Sequence, residues 1–309
     1  MPLGAVKVGL FAAAGAGGAG GPAGYFGGGY QGGYVTTVDR FLFSNDSRST
    51  LGTGLSVARQ RLAGMASPDA GYFGGGYGSS GSVATVDRFL FSDDSRTTLG
   101  TGLSAARFTL AGMASSTAGY FGGGQEAAKV ATVDRFLFSD DSRSTLGTGL
   151  STARANLAGM ASPDAGYFGG GNNGGIASTV DRFLFSDDSR STLGTGLSGG
   201  RYYLAGMASS TAGYFGGGYD TSNIRVATVD RFLFSDDSRS TLGTGLSGDR
   251  YRLAGMASST AGYFGGGNES GGTVATVDRF LFSDDSRTTL GTGLSGARYF
   301  MAGMANTGA

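Results

Sequence analysis

One six-residue string constrains this chain more than anything else in it. GYFGGG begins at Gly24, Gly71, Gly119, Gly166, Gly213 and Gly262, each copy 47 to 49 residues after the last. Three other strings keep step with it. VDRFLFS begins at Val38, Val86, Val133, Val180, Val229 and Val277, and LGTGLS at Leu51, Leu99, Leu146, Leu193, Leu242 and Leu290. AGM begins at Ala63, Ala111, Ala158, Ala205, Ala254 and Ala302. A fixed period of this length marks an array whose units bury their apolar faces against one another.

Each string reads as a short strand. Thr37-Val38-Asp39-Arg40-Phe41-Leu42-Phe43 is rich in β-branched and aromatic residues. Alternation sends Phe41 and Phe43 to one face and Val38 and Leu42 to the other. Apolar residues on both faces predict a strand covered on both sides, and Tyr25-Phe26 likewise sends one ring each way. Ser44-Asn45-Asp46-Ser47-Arg48 has the chemistry of a turn. No window of helix length lacks a glycine or a turn signal, so the expected structure has essentially no helix.

Four short strands per repeat read as a propeller blade, because radially stacked blades cover a two-sided apolar sheet. An open stack would need polar end repeats, whereas the terminal copies here are as apolar as the middle ones. The expected fold is all-β, a six-bladed β-propeller over 24–309. The first copy starts at GYFGGG and the last ends with an AGM element, Arg298 to Ala305. The ring is therefore expected to close by pairing the N- and C-terminal strands within one blade. Loop closure costs a few kcal/mol, against about 0.2–1 kcal/mol for each cross-strand pair gained.

Composition fits a packed fold. The 309 residues include 62 Gly, 21 Phe and 14 Tyr, with no Cys, His or Trp. Glycine at this level often accompanies disorder, but disorder also implies few aromatics and a high net charge. The formal charge is zero, from 23 basic and 23 acidic residues interleaved along the repeats. The glycines therefore read as turn and close-packing positions. Balanced charge argues against a nucleic-acid partner, and no apolar run is long enough to span a membrane. Residues 1–23 form a Gly/Ala-rich N-terminal arm. Val8–Ala14 followed by Gly15-Ala16-Gly17 faintly resembles a secretion signal, but only Lys7 precedes it. A retained arm is expected, packed on the propeller or on a neighbouring subunit, which is a route to a homo-oligomer.

Catalytic chemistry finds little to work with. An acyl-transfer triad needs a base, usually His, and zinc and copper sites usually need His or Cys. The only lysines are Lys7 and Lys129. A glycosidase carboxylate pair would occur once, whereas pairs such as Asp93-Asp94 and Asp140-Asp141 recur along the repeats. GYFGGG as a phosphate cradle would need a following helix. Ser92-Asp93-Asp94-Ser95-Arg96 has too few alternating oxygens for calcium, and reads as a solvated turn with a local Asp–Arg pair. Asp87, Arg88 and Arg107, present in every copy, read as inter-blade hydrogen-bonding groups. No catalytic residue, metal or cofactor is assigned.

The candidate binding surface comes from where the copies differ. In an up-and-down blade, successive turns alternate between the two faces of the disc. The segments after GYFGGG and those before AGM therefore share one face, and both vary. The SDDSR turns lie on the other face and are nearly invariant. Six Tyr and 18 Phe belong to the repeat strings, and the remaining eight Tyr, with Phe108 and Phe300, lie in the variable segments. Tyr suits recognition because it buries much area, loses little entropy and keeps a polar tip. The candidate residues are Tyr202, Tyr203, Tyr251, Arg252, Tyr299, Phe300, Tyr219, Phe108, Arg61, Tyr30, Tyr34 and Tyr77, the first six forming the densest patch.

These elements carry a resemblance. Gly199-Gly200-Arg201 before one strand and Gly216-Gly217-Gly218 after the next sit where kelch repeats place their Arg and glycine pair. Phe232 and Phe234 stand near the usual kelch Tyr. The chain departs from that family in lacking its Trp, with Leu193 or a neighbour in that region. The resemblance covers 24–309 and implies a kelch-like propeller, a fold that serves many roles. GYFGGG with VDRFLFSDDSRST is also similar to glycine-rich kelch-type repeats of tailed-bacteriophage virion proteins, such as fibres, appendages and capsid decorations. That likeness implies a non-enzymatic virion structural, decoration or fibre-type protein. Its partners would be other virion or surface-structure proteins, or a host-surface glycan or receptor. Two other settings stay open: a lectin-like secreted or cell-surface propeller, and a cellular kelch-type protein-interaction adaptor.

Overall fold

The computed structural model describes residues 21–306, and within them the chain is all-β with no helix. The strings become strands as their patterns require. In one repeat, Ala158–Ala161, Ala165–Gly169, Val180–Leu184 and Arg190–Thr192 form a four-stranded antiparallel sheet in chain order. Met160 lies opposite Tyr167, Tyr167 opposite Arg182, and Phe183 opposite Arg190. Six such sheets are present among the described residues. Numbered along the chain, their AGM strands are Ala302–Asn306, Ala63–Ala66, Ala111–Ala114, Ala158–Ala161, Ala205–Ala208 and Ala254–Ala257. In the first sheet Ala302–Asn306 pairs with Ala23–Gly27 and sets Met304 opposite Tyr25, the register used elsewhere. The sheet region begins at Ala23, with the Pro22 carbonyl accepting the Phe43 N–H at 3.1 Å. The arm drawn at 1–23, and the subunit contact expected of it, lie up to residue 20 outside the described residues.

The two-sided strands are covered on both sides. Val38 and Leu42 pack with Phe73, Phe89 and Phe91 of the second sheet, while Phe41 and Phe43 pack with Met256 and Tyr263 of the sixth. Tyr25 stacks on Phe91 at 5.5 Å, and Phe26 meets Phe41 edge-on. Equivalent clusters lie between the other consecutive sheets.

Glycine allows the AGM strands to meet. A Cβ on Gly159 would stand 2.1 Å from the Gly112 carbonyl oxygen, and the same approach links Gly206 to Gly159, Gly255 to Gly206, Gly303 to Gly255, Gly64 to Gly303 and Gly112 to Gly64. Backbone contact this close excludes any side chain. Sheets stacked face to face, with their AGM strands together, make a propeller-like architecture.

Two ion-pair systems recur, and each corrects an expectation. Arg107 and Asp134 are fully buried and 2.9 Å apart. Both belong to the third sheet, so this pair works within a sheet. Asp134 also accepts the Ser104 N–H at 2.8 Å and the Thr145 hydroxyl at 2.7 Å, and Arg107 donates to the Phe121 carbonyl at 3.0 Å. The pair thus ties down the connection that enters the sheet. Arg88 does bridge sheets, meeting Asp141 at 3.2 Å. The SDDSR turns are more than solvated turns with a local pair. Asp140 accepts the Ser142 N–H at 3.0 Å, as an Asx turn should. Asp141 instead takes a left-handed conformation, φ 56°, and accepts the Tyr72 hydroxyl of the second sheet at 2.9 Å. The Asp–Arg partner is on the adjacent sheet because the carboxylate points across the stack.

Candidate recognition face

Each second strand runs into glycines that turn the chain, such as Gly28 and Gly29 with φ 66° and 109°. The variable loop that follows folds back and pairs beside the residues preceding the AGM strand of the same sheet. Tyr30 bridges to Tyr34 and Tyr299, Phe108 to Gln125, Ala155 to Asn172, Tyr202 to Tyr219 and Tyr251 to Asn268. Arg59–Gln60 pairs with Tyr77–Gly78 in the same way. The two classes of variable segment therefore meet in every sheet.

Among the described residues, the ten aromatics outside the repeat strings form one unbroken set of ring contacts. From Tyr219 it runs through Tyr202 (5.7 Å), Tyr203 (4.7 Å), Phe300 (5.1 Å), Tyr299 (5.4 Å) and Tyr30 (5.5 Å). It continues through Tyr34 (5.6 Å) and Tyr77 (6.3 Å) to Phe108 (5.3 Å). Tyr251 joins it, 4.1 Å from Tyr219 and 6.1 Å from Tyr203. The fourth sheet contributes Ala155, Asn156, Asn172 and Asn173 at these positions, so the aromatics make a crescent with a polar gap. The six residues read as densest in the sequence are in contact, and the other named aromatics extend the same surface. Nine of the ten rings are half-buried, but Phe300 is only 7 % exposed and presents little of itself. Burial, the largest cause, pushes the Tyr202 and Tyr251 hydroxyls above the usual tyrosine range.

At the centre of this face stands a ring that sequence reading missed. Arg61, Thr109, Asn156, Tyr203, Arg252 and Phe300 all have left-handed backbones, with φ between 56° and 62°. Arg61 donates its N–H to the Phe300 carbonyl (2.8 Å), Thr109 to Arg61 (2.8 Å) and Asn156 to Thr109 (2.8 Å). Tyr203 donates to Asn156 (2.9 Å), Arg252 to Tyr203 (2.8 Å) and Phe300 to Arg252 (2.9 Å). The six side chains surround a recess of about 70 Å³ floored by Leu62, Leu110, Leu157, Leu204, Leu253 and Met301. Thr109 and Asn156 were absent from the candidate residues, which rest on aromatic rings and Arg, and nothing in Thr, Tyr, Arg or Phe announces a left-handed backbone. The signal available was positional: each precedes the Leu or Met that opens LAGM or MAGM. Among the described residues no cluster of acidic side chains gathers that could hold a metal.

Comparison of the sequence with protein-family models and with curated proteins returns no match. The face must be interpreted from its own chemistry.

Proposed function

We propose that the chain is a closed six-bladed propeller of the kelch type that works as a non-enzymatic binding protein through its aromatic face. The return of the glycine approach from Gly303 to Gly64 after six sheets supports the ring. The single observation that carries the binding reading is the unbroken aromatic crescent. It collects every non-repeat Tyr among the described residues onto one surface, while the opposite face repeats one turn almost unchanged. Large rings with polar tips favour contact with a polar ligand or a protein surface. The repeats' likeness to virion proteins supports an external virion component as the setting, with host-surface molecules or other virion subunits as partners. Half-buried tyrosines beside Asn and Arg also favour a lectin-like use of the same face.

The test is a combined Tyr203→Ala, Tyr251→Ala and Tyr299→Ala variant, compared with wild type on a defined glycan array and on purified virion subunits. Binding should be lost with the melting temperature largely kept. Normal binding by this variant, with loss on changing the exposed Asp93 and Asp140 of the SDDSR turns, would place recognition on the other face. Antibody labelling of intact particles checks the setting.

A further inference from the structure

The arginines divide into two populations. Those of the repeat strings are all ion-paired, from Arg40 with Asp94 at 3.7 Å to Arg298 with Asp39 at 3.0 Å. Arg61, Arg225 and Arg252 lie outside those strings. Among the described residues none of the three has an ion pair or a side-chain hydrogen bond, and all three are on the aromatic face. Two of them line the axial recess. The guanidinium carbons of Arg61 and Arg252 each lie 4.6 Å from the Phe300 ring centroid. Arg252 is further held over Tyr251 at 4.6 Å and Tyr203 at 5.1 Å, and Arg61 over Phe108 at 5.6 Å. These ring contacts hold each guanidinium by cation–π attraction and leave its N–H donors without a protein acceptor among the described residues.

Backbone strain points the same way. Outside glycine and Asn, a left-handed residue costs about 1 kcal/mol or more, and a β-branched one such as Thr109 is an outlier. A chain with 62 glycines uses none in this ring. Its side chains are kept where glycine would relieve the backbone.

We propose that the axial recess is a carboxylate subsite for an acidic saccharide. This rests on the reading of the aromatic face as the recognition surface. Two guanidiniums without ion-pair partners offer the forked donors that match a carboxylate. The recess is small enough to take the acidic group alone, with the sugar ring lying on the surrounding tyrosines. Asn156 lines the recess with a buried side-chain oxygen that has no partner. A sugar hydroxyl can donate to that oxygen, whereas an ionised acidic side chain of a peptide cannot.

The probes are D-glucuronate, its methyl ester and a hexaglutamate peptide, titrated against the isotopically labelled chain and read at the amides of Arg61, Thr109, Asn156, Tyr203, Arg252 and Phe300. Glucuronate should perturb these amides and bind at least tenfold more tightly than the uncharged ester. Arg61→Gln with Arg252→Gln should abolish that preference, and the double Lys variant should restore only part of it. Should the Gln variant fail to fold, the acid–ester contrast on wild type still decides. Equal binding of acid and ester, unchanged binding by the Gln variant, or no perturbation by glucuronate at tens of millimolar overturns the proposal. So does hexaglutamate binding tenfold more tightly than glucuronate, which would make the partner an acidic protein. Equal binding of acid and ester on these amides leaves the face reading intact. Perturbation confined to the amides of the SDDSR turns removes both.

Discussion

Two rings of left-handed, non-glycine residues stand on opposite faces of this molecule, and they obey opposite rules. On one face Asp46, Asp94, Asp141, Asp188, Asp237 and Asp285 share φ values of 55° to 58° and a single residue type. Each accepts a tyrosine hydroxyl from the adjacent sheet, as Asp188 does from Tyr120 at 2.8 Å. On the other face the axial ring has nearly the same backbone but Arg, Thr, Asn, Tyr, Arg and Phe. The Asp ring shows what a repeat position looks like when the fold needs its side chain. The axial ring shows a position where the backbone is constant and the side chain changes from sheet to sheet.

The largest expected effect removes the frame common to both rings. Deleting residues 298–309 takes away the strand paired with Ala23–Gly27 and leaves apolar edges on the first sheet. Aggregation or loss of cooperative melting is expected by size-exclusion chromatography and calorimetry. A monomer that melts like the full chain would contradict the closed ring.

Alkali should come next, because six copies act together on one face. The hydroxyls of Tyr25, Tyr72, Tyr120, Tyr167, Tyr214 and Tyr263 are raised well above the usual tyrosine value, first by burial and then by the hydrogen bond to Asp. A raised folded-state pKa contributes stability that is complete below the unfolded value, about 10, and is lost as pH climbs through and above it. The melting temperature should therefore fall from about pH 10 upward. Tyr72→Phe with Tyr120→Phe should make the fall shallower, and an unchanged profile would mean that these hydroxyls do not carry it.

Asp134→Ala separates sheet-holding chemistry from both rings. It leaves Arg107 buried without its counter-ion, and a broken buried pair costs about 3–5 kcal/mol. Replacing both partners, Arg107→Met with Asp134→Leu, should recover most of the loss in a denaturant titration. An equal loss in both variants would show that the hydrogen bonds to Ser104 and Thr145 matter more than the charge.

Much of this was legible from the strings alone. Alternation in VDRFLF fixes which residues face which neighbour, and the structure sends Val38 and Phe41 to opposite sheets accordingly. The match between the first GYFGGG and the last AGM was readable as one sheet. Partners across the stack were not. That Asp141 pairs with Tyr72 and Arg88 depends on the stagger of neighbouring sheets, which no local pattern encodes. The aromatic crescent could be expected as a face, but the axial ring could not, because a left-handed backbone at Tyr203 or Phe300 is imposed by the turn into the AGM strand.

The smallest effect is the sharpest test of the two rings. Thr109 and Asp141 both have φ 56°, so glycine at either site relieves the same backbone conformation. Asp141→Gly also removes the acceptor of the Tyr72 hydroxyl and the partner of Arg88, leaving a buried donor unpaired. That should cost about 1–3 kcal/mol. Thr109→Gly removes a β-branched residue whose hydroxyl bonds only its neighbour's carbonyl, Phe108, at 2.6 Å. Relief of about 1 kcal/mol is then set against the extra freedom of glycine in the unfolded chain, roughly 0.5–1 kcal/mol. The net change should be near zero or slightly stabilising by denaturant midpoint. Opposite signs, or a clear gap between the two variants, support the division of labour. Equal destabilisation would mean that the axial side chains hold the fold together as the Asp ring does, and the argument that they are spared for recognition would fail.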